Sequence, residues 1–189
     1  MRAVLLVLVL ALVSVVASAS SEAAASRTLL NYGDSLAVGT GLFLPPLLAG
    51  WAVRDDAQIG RHSDEGPRSL RTYGDGLPRV VAISLGANDF PGRRDWFRQQ
   101  VLDILQVAGP DRCVIWSTLA RPPQRGVSYE GFNAVLRELD RRSGVLRVFD
   151  WAALARAHPA WFGPDGVHST AAGYRARAAG VARLARACA

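Results

Sequence analysis

The chain has 189 residues, is 50% hydrophobic, and carries a formal net charge of +6 in which every basic residue is arginine. Without lysine it cannot form the Gly-Lys-Ser/Thr phosphate loop of P-loop ATPases. The arginines are scattered rather than gathered in one stripe, so a solvated basic surface is favoured over a nucleic-acid interface. Attraction to an anionic cell surface or to an acidic substrate stays open.

The first nineteen residues predict an export signal. Met1-Arg2 is a short basic start, residues 3–16 are apolar apart from Ser14, and Ala17-Ser18-Ala19 fits a small-residue cleavage site. The alternative is an uncleaved signal that tethers the protein, although the apolar run is short for a bilayer span of about 20 residues. We expect residues 20–26 to be a flexible spacer and residues 27–189 to be one domain without stable membrane insertion after cleavage.

Short apolar runs alternate with helical patterns along the rest of the chain. This alternation predicts an α/β fold with a parallel sheet, a three-layer α/β/α sandwich of flavodoxin-like type with five strands. The predicted strands are Thr28–Asn31, Trp51–Arg54, Val80–Leu85, Cys113–Thr118 and Leu146–Phe149. The predicted helices are Ala37–Leu48, Asp64–Arg71, Asp95–Val107, Tyr129–Arg142, Trp151–His158 and Thr170–Ala187.

Ligands of such sheets bind outside the carboxyl ends of the strands, so the loops after the strands should face one crevice. These loops contain Gly33-Asp34-Ser35, Gly60-Arg61, residues 86–89, residues 121–123 and, after the last unit, residues 165–168. Cys113 and Cys188 are the only cysteines, and in an exported protein we expect them to form a disulfide between an internal strand and the final helix. They are too few and too far apart to suggest a zinc site.

A serine nucleophile needs a base and a carboxylate that orients the base. Of the three histidines, His62 and His158 have no carboxylate at a suitable spacing, whereas Asp165 precedes His168 by three residues across a glycine. Ser35, His168 and Asp165 are therefore the predicted triad. Oxyanion donors are also needed, and the side-chain amide of Asn88 and the backbone N–H groups of Ser35 and Gly60 are the candidates.

These residues resemble a known family. The segments "GDSL" (33–36), "GAND" (86–89) and "DGVH" (165–168) look like the first, third and fifth blocks of SGNH (GDSL-type) hydrolases, over essentially the whole mature chain. The resemblance implies Ser35 as nucleophile, Gly60 and Asn88 as oxyanion-hole donors, the Asp165/His168 pair, and neither cofactor nor metal. The match is looser around Gly60, where arginine follows. "DAQIGR" and Asp150-Trp151 are similar to SGNH domains of membrane O-acyltransferases that acetylate cell-wall glycans.

Plainer interpretations exist for several of these residues. Asp34-Ser35 can be a helix N-cap, Asn88-Asp89 can cap the next helix, and no chemistry is assigned to Asp89. Arg61 fits a structural ion pair better than contact with an anionic substrate. The tryptophans are expected in packing, with Trp161 the best candidate for a sugar platform.

The sequence therefore predicts a secreted or cell-envelope serine esterase that hydrolyses an acyl or acetyl ester of a small molecule, lipid or glycan through an acyl-enzyme. O-acyl transfer to a cell-wall glycan is the first alternative. A non-catalytic glycan-binding module is the second, and no nucleic-acid partner is expected.

Overall fold

A computed structural model describes residues 27–189, so the predicted signal peptide and the spacer at residues 20–26 lie outside the described residues. Five parallel strands form one sheet in the order β2-β1-β3-β4-β5. This is the order of flavodoxin-like sheets and confirms the predicted fold class. The strands are β1 (Thr28–Gly33), β2 (Ala52–Ala57), β3 (Val80–Ser84), β4 (Cys113–Ser117) and β5 (Leu146–Phe149).

The helices that follow these strands cover both faces of the sheet. In the described part of the chain they are α1 (Ser35–Gly41), α2 (Leu44–Leu47), α3 (Glu65–Arg71), α4 (Arg94–Ala108), α5 (Glu130–Arg142), α6 (Trp151–Arg156) and α7 (Ala171–Ala187). Short 3₁₀ turns at Gly74–Gly76 and Pro159–Trp161 complete the connections. No helix among residues 27–189 combines the length and apolar character needed to cross a bilayer.

Successive residues of each inner strand point to opposite faces, so each strand contributes to two cores. Leu30, Val81 and Trp116 pack against one core that includes residues of α4 and α5. Leu29 and Ile115 pack against the other, which includes residues of α2, α6 and α7. Because both faces are covered, β3 and β4 are apolar up to their final serine, which is why their sequences predicted them well.

Strand β2 is three residues longer at its end than predicted, and two of these three residues are aspartates. The prediction ended at Arg54, yet Asp55 and Asp56 continue the parallel pairing, opposite Asn31 and Tyr32 of β1. β2 is an edge strand, where half-exposed side chains reach water and charges are tolerated. Asp55 also accepts a hydrogen bond of 2.5 Å from the Asn31 amide, which fixes it to the neighbouring strand.

The single helix predicted at residues 37–48 was wrong. α1 begins at Ser35 because the Asp34 side chain caps it by accepting from the Leu36 N–H. It ends at Gly41, and α2 begins separately at Leu44, with Pro45 and Pro46 in its first turn. Proline has no N–H to donate within a helix and is tolerated in the first turn, so the chain makes two short helices.

The structure also tests the predictions for the two cysteines and for the arginines. Cys113 and Cys188 form a disulfide, with their Cα atoms 5.9 Å apart, which joins the start of β4 to the residue after α7 as predicted. The expectation that the arginines are solvated was wrong for Arg177, which is only 2% exposed, and Arg61, for which a structural ion pair was expected, is 7% exposed. Both find polar partners at the carboxyl-end rim of the sheet, described below.

Candidate active site

Ser35 stands at the turn between β1 and α1. Gly33 has φ +152°, and a Cβ at this position would lie 2.1 Å from the Ser84 carbonyl oxygen of β3, so only glycine permits the close approach of the two strands. The Asp34 N–H donates to that same Ser84 oxygen at 2.9 Å. The Asp34 side chain then caps the helix, and Ser35 is left half-buried as its first residue. The capping and nucleophile interpretations are therefore compatible, because neighbouring residues fill the two places.

His168 lies in a loop that its own aspartate organises. Asp165 Oδ1 accepts from the backbone N–H groups of Val167 (2.9 Å) and His168 (3.0 Å). Gly166 has φ +65°, which an L side chain rarely adopts, and its N–H donates to the Gly163 carbonyl. The loop is closed by a 2.7 Å bond from the Gly163 N–H to the His168 carbonyl. The three-residue separation in the sequence thus becomes a tight turn with both side chains on one side.

The three predicted triad residues form one hydrogen-bonded chain. Ser35 Oγ lies 2.8 Å from His168 Nε2, and His168 Nδ1 lies 2.6 Å from Asp165 Oδ2. The hydrogen bond from His168, followed by those from the Val167 and His168 backbone, lowers the pKa of Asp165 to about 2. An ionised Asp165 can only accept, so Nδ1 carries the proton and Nε2 is free to take a proton from Ser35.

The candidate oxyanion donors lie on the loops after β1, β2 and β3. Ser35 is the first residue of α1, where its N–H has no intrahelical acceptor. Gly60 is exposed with φ +82°, and a Cβ there would meet nothing within 4 Å. Glycine is favoured at position 60 by its backbone conformation, because no neighbouring atom would exclude a side chain there. Asn88 donates one amide hydrogen to the Arg61 carbonyl at 3.0 Å, which leaves its second hydrogen available.

Comparison with known proteins finds similar solved structures but no similar sequence family. No protein-family model matches the sequence, and no curated protein matches it. The structure resembles the C-terminal catalytic domain of peptidoglycan O-acetyltransferase A from Streptococcus pneumoniae, solved with a methylsulfonyl adduct (TM-score 0.67, 22% identity, covering 87% of this chain and 92% of that one). It also resembles a GDSL-like lipase from Bacteroides thetaiotaomicron (TM-score 0.69, 17% identity, covering 87% and 89%). The esterase EstA from Pseudoalteromonas, inhibited by monoethylphosphonate, is a third (TM-score 0.66, 17% identity, covering 85% and 97%). The chain has the SGNH hydrolase fold.

Within this SGNH fold, sequence reasoning missed one histidine–carboxylate pair. His62 was expected to have no orienting carboxylate, but its Nδ1 lies 2.7 Å from Asp89 Oδ1. Asp89 also accepts from the Ser63 N–H at 3.2 Å and from the Ser63 hydroxyl. It therefore binds the loop after β2 rather than capping α4, whose N-cap has no side-chain hydrogen bond. His62 and Asp89 are separated by 27 positions in the sequence, so no local pattern signals the contact, and only the position of both loops at the same edge of the sheet hinted at it.

Arg61 makes the structural ion pair that the sequence favoured. Its guanidinium lies 2.8 Å from Asp56 Oδ1 and 4.3 Å from the centroid of the Tyr32 ring. Asp56 also accepts from the Tyr73 hydroxyl at 2.9 Å, and burial together with this bond raises the pKa of Tyr73 to about 12. The buried guanidinium holds the loop that carries Gly60 against β1 and β2.

A second buried arginine supports the serine turn of the SGNH fold from behind. Arg177 Nη2 donates to Ser84 Oγ at 3.0 Å, and Ser84 Oγ donates to Asp34 Oδ1 at 3.2 Å. Burial raises the pKa of Asp34, while the Leu36 N–H and the Arg177 charge lower it. Burial lowers the pKa of Arg177 to about 10, so it keeps its charge at neutral pH. Asp34, the residue before Ser35, is thereby fixed to both β3 and α7.

Trp161 packs beside the loop that carries Asp165 and His168. Its ring stacks on His158, with centroids 3.9 Å apart, and on Trp151, with centroids 5.7 Å apart. The Trp161 carbonyl also accepts from the Thr170 N–H at 2.8 Å, which ties the turn before the loop to the start of α7. These contacts favour a structural role over a sugar platform.

Proposed function

We propose that this protein is a serine esterase of the SGNH type. The observation that carries the proposal is the unbroken chain from Ser35 Oγ through the His168 imidazole to the ionised Asp165. A serine hydroxyl acquires nucleophilic strength from such a base, and the base acquires orientation from such a carboxylate. This series of hydrogen bonds lies at the carboxyl-end edge of a parallel sheet, where ligands of such folds bind, and that position supports the proposal.

In the proposed reaction, His168 Nε2 takes the proton as Ser35 Oγ attacks the ester carbonyl. The tetrahedral oxyanion accepts hydrogen bonds from the Ser35 and Gly60 N–H groups and from the Asn88 amide, each worth about 3 kcal/mol when removed. The carbonyl then re-forms, the alcohol leaves with the proton from His168, and Ser35 is acylated. Water attacks the acyl-enzyme with His168 again as base, which returns free Ser35 and releases the acid.

The Ser35→Ala substitution tests this proposal. It removes the nucleophile from a half-buried position without creating a core cavity, so we expect a loss of p-nitrophenyl acetate turnover of at least about a thousandfold with an unchanged unfolding midpoint. Wild-type protein should be labelled by a fluorophosphonate on Ser35, as mapped by peptide mass spectrometry, and the variant should not. Ser143, which is half-buried like Ser35 and follows α5 directly, provides a matched Ser→Ala control for turnover and labelling. Retained turnover in Ser35→Ala contradicts the proposal.

Acyl transfer is the second candidate, and the likeness to the peptidoglycan O-acetyltransferase domain favours it. The acyl-enzyme would form in the same way, and a glycan hydroxyl would replace water in the second step. Measuring free acetate against acetylated glycan in one competition assay separates the two. An excess of acetylated glycan supports transfer, and release of acetate alone supports hydrolysis.

A glycan-binding module without catalysis is the remaining alternative. Such a module does not require a serine that is hydrogen-bonded to an imidazole oriented by an aspartate. It requires glycan binding that is unaffected by Ser35→Ala, and no fluorophosphonate labelling. The labelling experiment described above therefore decides between this alternative and an enzyme.

We propose further that the protein acts outside the cytoplasm, secreted or in the cell envelope. The apolar segment at residues 3–16 and the Cys113–Cys188 disulfide support this, because disulfides persist in oxidising compartments. The expected substrates are esters of small molecules, lipids or glycans, and nucleic acid is not among the expected partners. Detecting the mature chain, without residues 1–19, in the envelope or culture medium tests the localisation.

A further inference from the structure

The loop after β2 presents a second imidazole that the proposed reaction does not use. His62 donates from Nδ1 to Asp89, whose side chain is only 2% exposed, while the His62 side chain itself is 52% exposed. Asp89 accepts from the Ser63 N–H and hydroxyl as well, so it acts as an acceptor toward all its partners. This fixes the proton of His62 on Nδ1 and leaves a lone pair on Nε2.

The construction repeats that of Asp165 and His168, with one difference. His168 Nε2 meets Ser35, whereas no group among residues 27–189 forms a hydrogen bond with His62 Nε2. An oriented, exposed acceptor of this kind is suited to a donor outside the protein, such as a hydroxyl group.

His62 lies beside the candidate oxyanion donors. It follows Gly60 by two residues, and its peptide bond includes the Arg61 carbonyl that accepts from the Asn88 amide. The imidazole is therefore carried by the segment that joins two of these donors. A hydroxyl bound to His62 would therefore be near the ester carbonyl that these donors are proposed to hold.

Anchoring the loop does not require this ring. The segment is already fixed by the two Ser63–Asp89 bonds, by Asn88 on the Arg61 carbonyl, and by Glu65 accepting from the His62 N–H at 2.9 Å. A ring that served only as an anchor would gain from burial, yet half of this side chain faces solvent. A role toward a ligand accounts better for its exposure.

We propose that His62 is a specificity-determining residue that accepts a hydrogen bond from a free hydroxyl on the alcohol part of the ester. This inference rests on the proposed esterase function and deepens it. Such a contact selects esters of polyols or sugars over esters of simple alkyl alcohols. A site that offers a hydrogen-bonding group to a substrate hydroxyl discriminates against the analogue without it, and for an exposed acceptor we expect roughly a tenfold preference.

The test compares kcat/KM for glycerol monoacetate and ethyl acetate, which differ in the free hydroxyls of the alcohol. We expect the wild-type ratio to favour glycerol monoacetate about tenfold, and the ratio to fall close to one in His62→Asn. Asparagine can still donate to Asp89 from the position of Nδ1 but ends before Nε2. His158→Asn, at the exposed histidine stacked on Trp161, is the matched control and should leave the ratio unchanged. Methyl 6-O-acetyl-glucoside in a third arm tells sugars from small polyols.

Two outcomes overturn the proposal: a wild-type ratio near one, or a His62→Asn ratio equal to that of the wild type. Equal losses on both esters give the second outcome and indicate a structural role. If His62→Asn folds poorly, an experiment on the wild-type protein takes its place. The acyl-enzyme formed from p-nitrophenyl acetate is offered glycerol or 1-propanol in place of water, and the proposal requires more acetylated glycerol than propyl acetate. If a fluorophosphonate does not label Ser35, the esterase function fails and the His62 proposal fails with it. If Ser35 is labelled but the kcat/KM ratio of the two esters is the same in His62→Asn and in the wild type, only the His62 proposal is overturned.

Discussion

At the residue scale, the site divides into a part with a local signal and a part without one. Asp165 and His168 are three residues apart, and a turn through Gly166 is enough to join them, so the sequence predicted their pairing. His62 and Asp89 are joined only by the packing of two strand-end loops, which no local pattern encodes. The sequence therefore predicted the Asp165–His168 contact, and it missed the His62–Asp89 contact for this physical reason.

The Asp165–His168 bond has a measurable consequence in acid. Because the folded-state pKa of Asp165 is depressed, the stabilisation it contributes is present above the pKa of an unfolded aspartate, about 4, and is lost as the pH falls through about 2. We expect the Asp165 carboxyl carbon to titrate near pH 2 by NMR. In His168→Ala, which removes the largest cause, the pKa should rise toward the ordinary value. His158→Ala should leave it unchanged, and an ordinary pKa in the wild type would contradict the bond.

At the element scale, α7 connects the site to the rest of the protein. Thr170, which precedes it, caps the helix and fixes the end of the loop that carries Asp165 and His168, and Cys188, which follows it, is bonded to β4. Between these, Arg177 reaches Ser84 behind the serine turn. The helix itself was predicted to within one residue. The burial of Arg177 was not, because alternating alanine and arginine give α7 no clear apolar stripe that marks its inner face.

Replacing Arg177 should destabilise the fold. Arg177→Met removes the counter-charge of buried Asp34 and the donor to Ser84, and breaking a buried charged network in this way costs about 3 kcal/mol of unfolding free energy. Urea unfolding measures the loss. Arg183→Met, at an exposed position of the same helix, should change stability by less than about 0.5 kcal/mol. Adding Asp34→Asn to Arg177→Met should restore part of the lost unfolding free energy. If Arg177→Met and Arg183→Met lower stability equally, the buried network does not contribute as expected.

At the scale of the whole molecule, strand order determines which loops meet. β1 lies between β2 and β3, so the loops that carry Ser35, Gly60 and Asn88 leave the sheet side by side. The alternation of buried runs and helices was enough to predict this arrangement. The length of β2 and the break between α1 and α2 were not predicted, because an edge strand tolerates charges and because two prolines start a helix rather than continue one.

The disulfide should contribute a large share of the global stability. It closes a loop across a separation of 75 residues, for which the chain-entropy estimate is about 4 kcal/mol. Urea unfolding with and without reductant should show a loss of that order, and Cys113→Ala/Cys188→Ala should be equally destabilised and insensitive to reductant. An unchanged midpoint in reductant would show that the cross-link contributes nothing.

The side chains of Asp165 and His168 are each 50% exposed, so bulk water reaches the charges on which the proposed chemistry depends. Water weakens electrostatic attraction severalfold relative to a dry interior. A compact ester leaves this screening in place, whereas a bulky one laid across the rim displaces the solvent and strengthens every contact beneath it. A large substrate would then act as a lid over the proposed site, and its size would affect the rate.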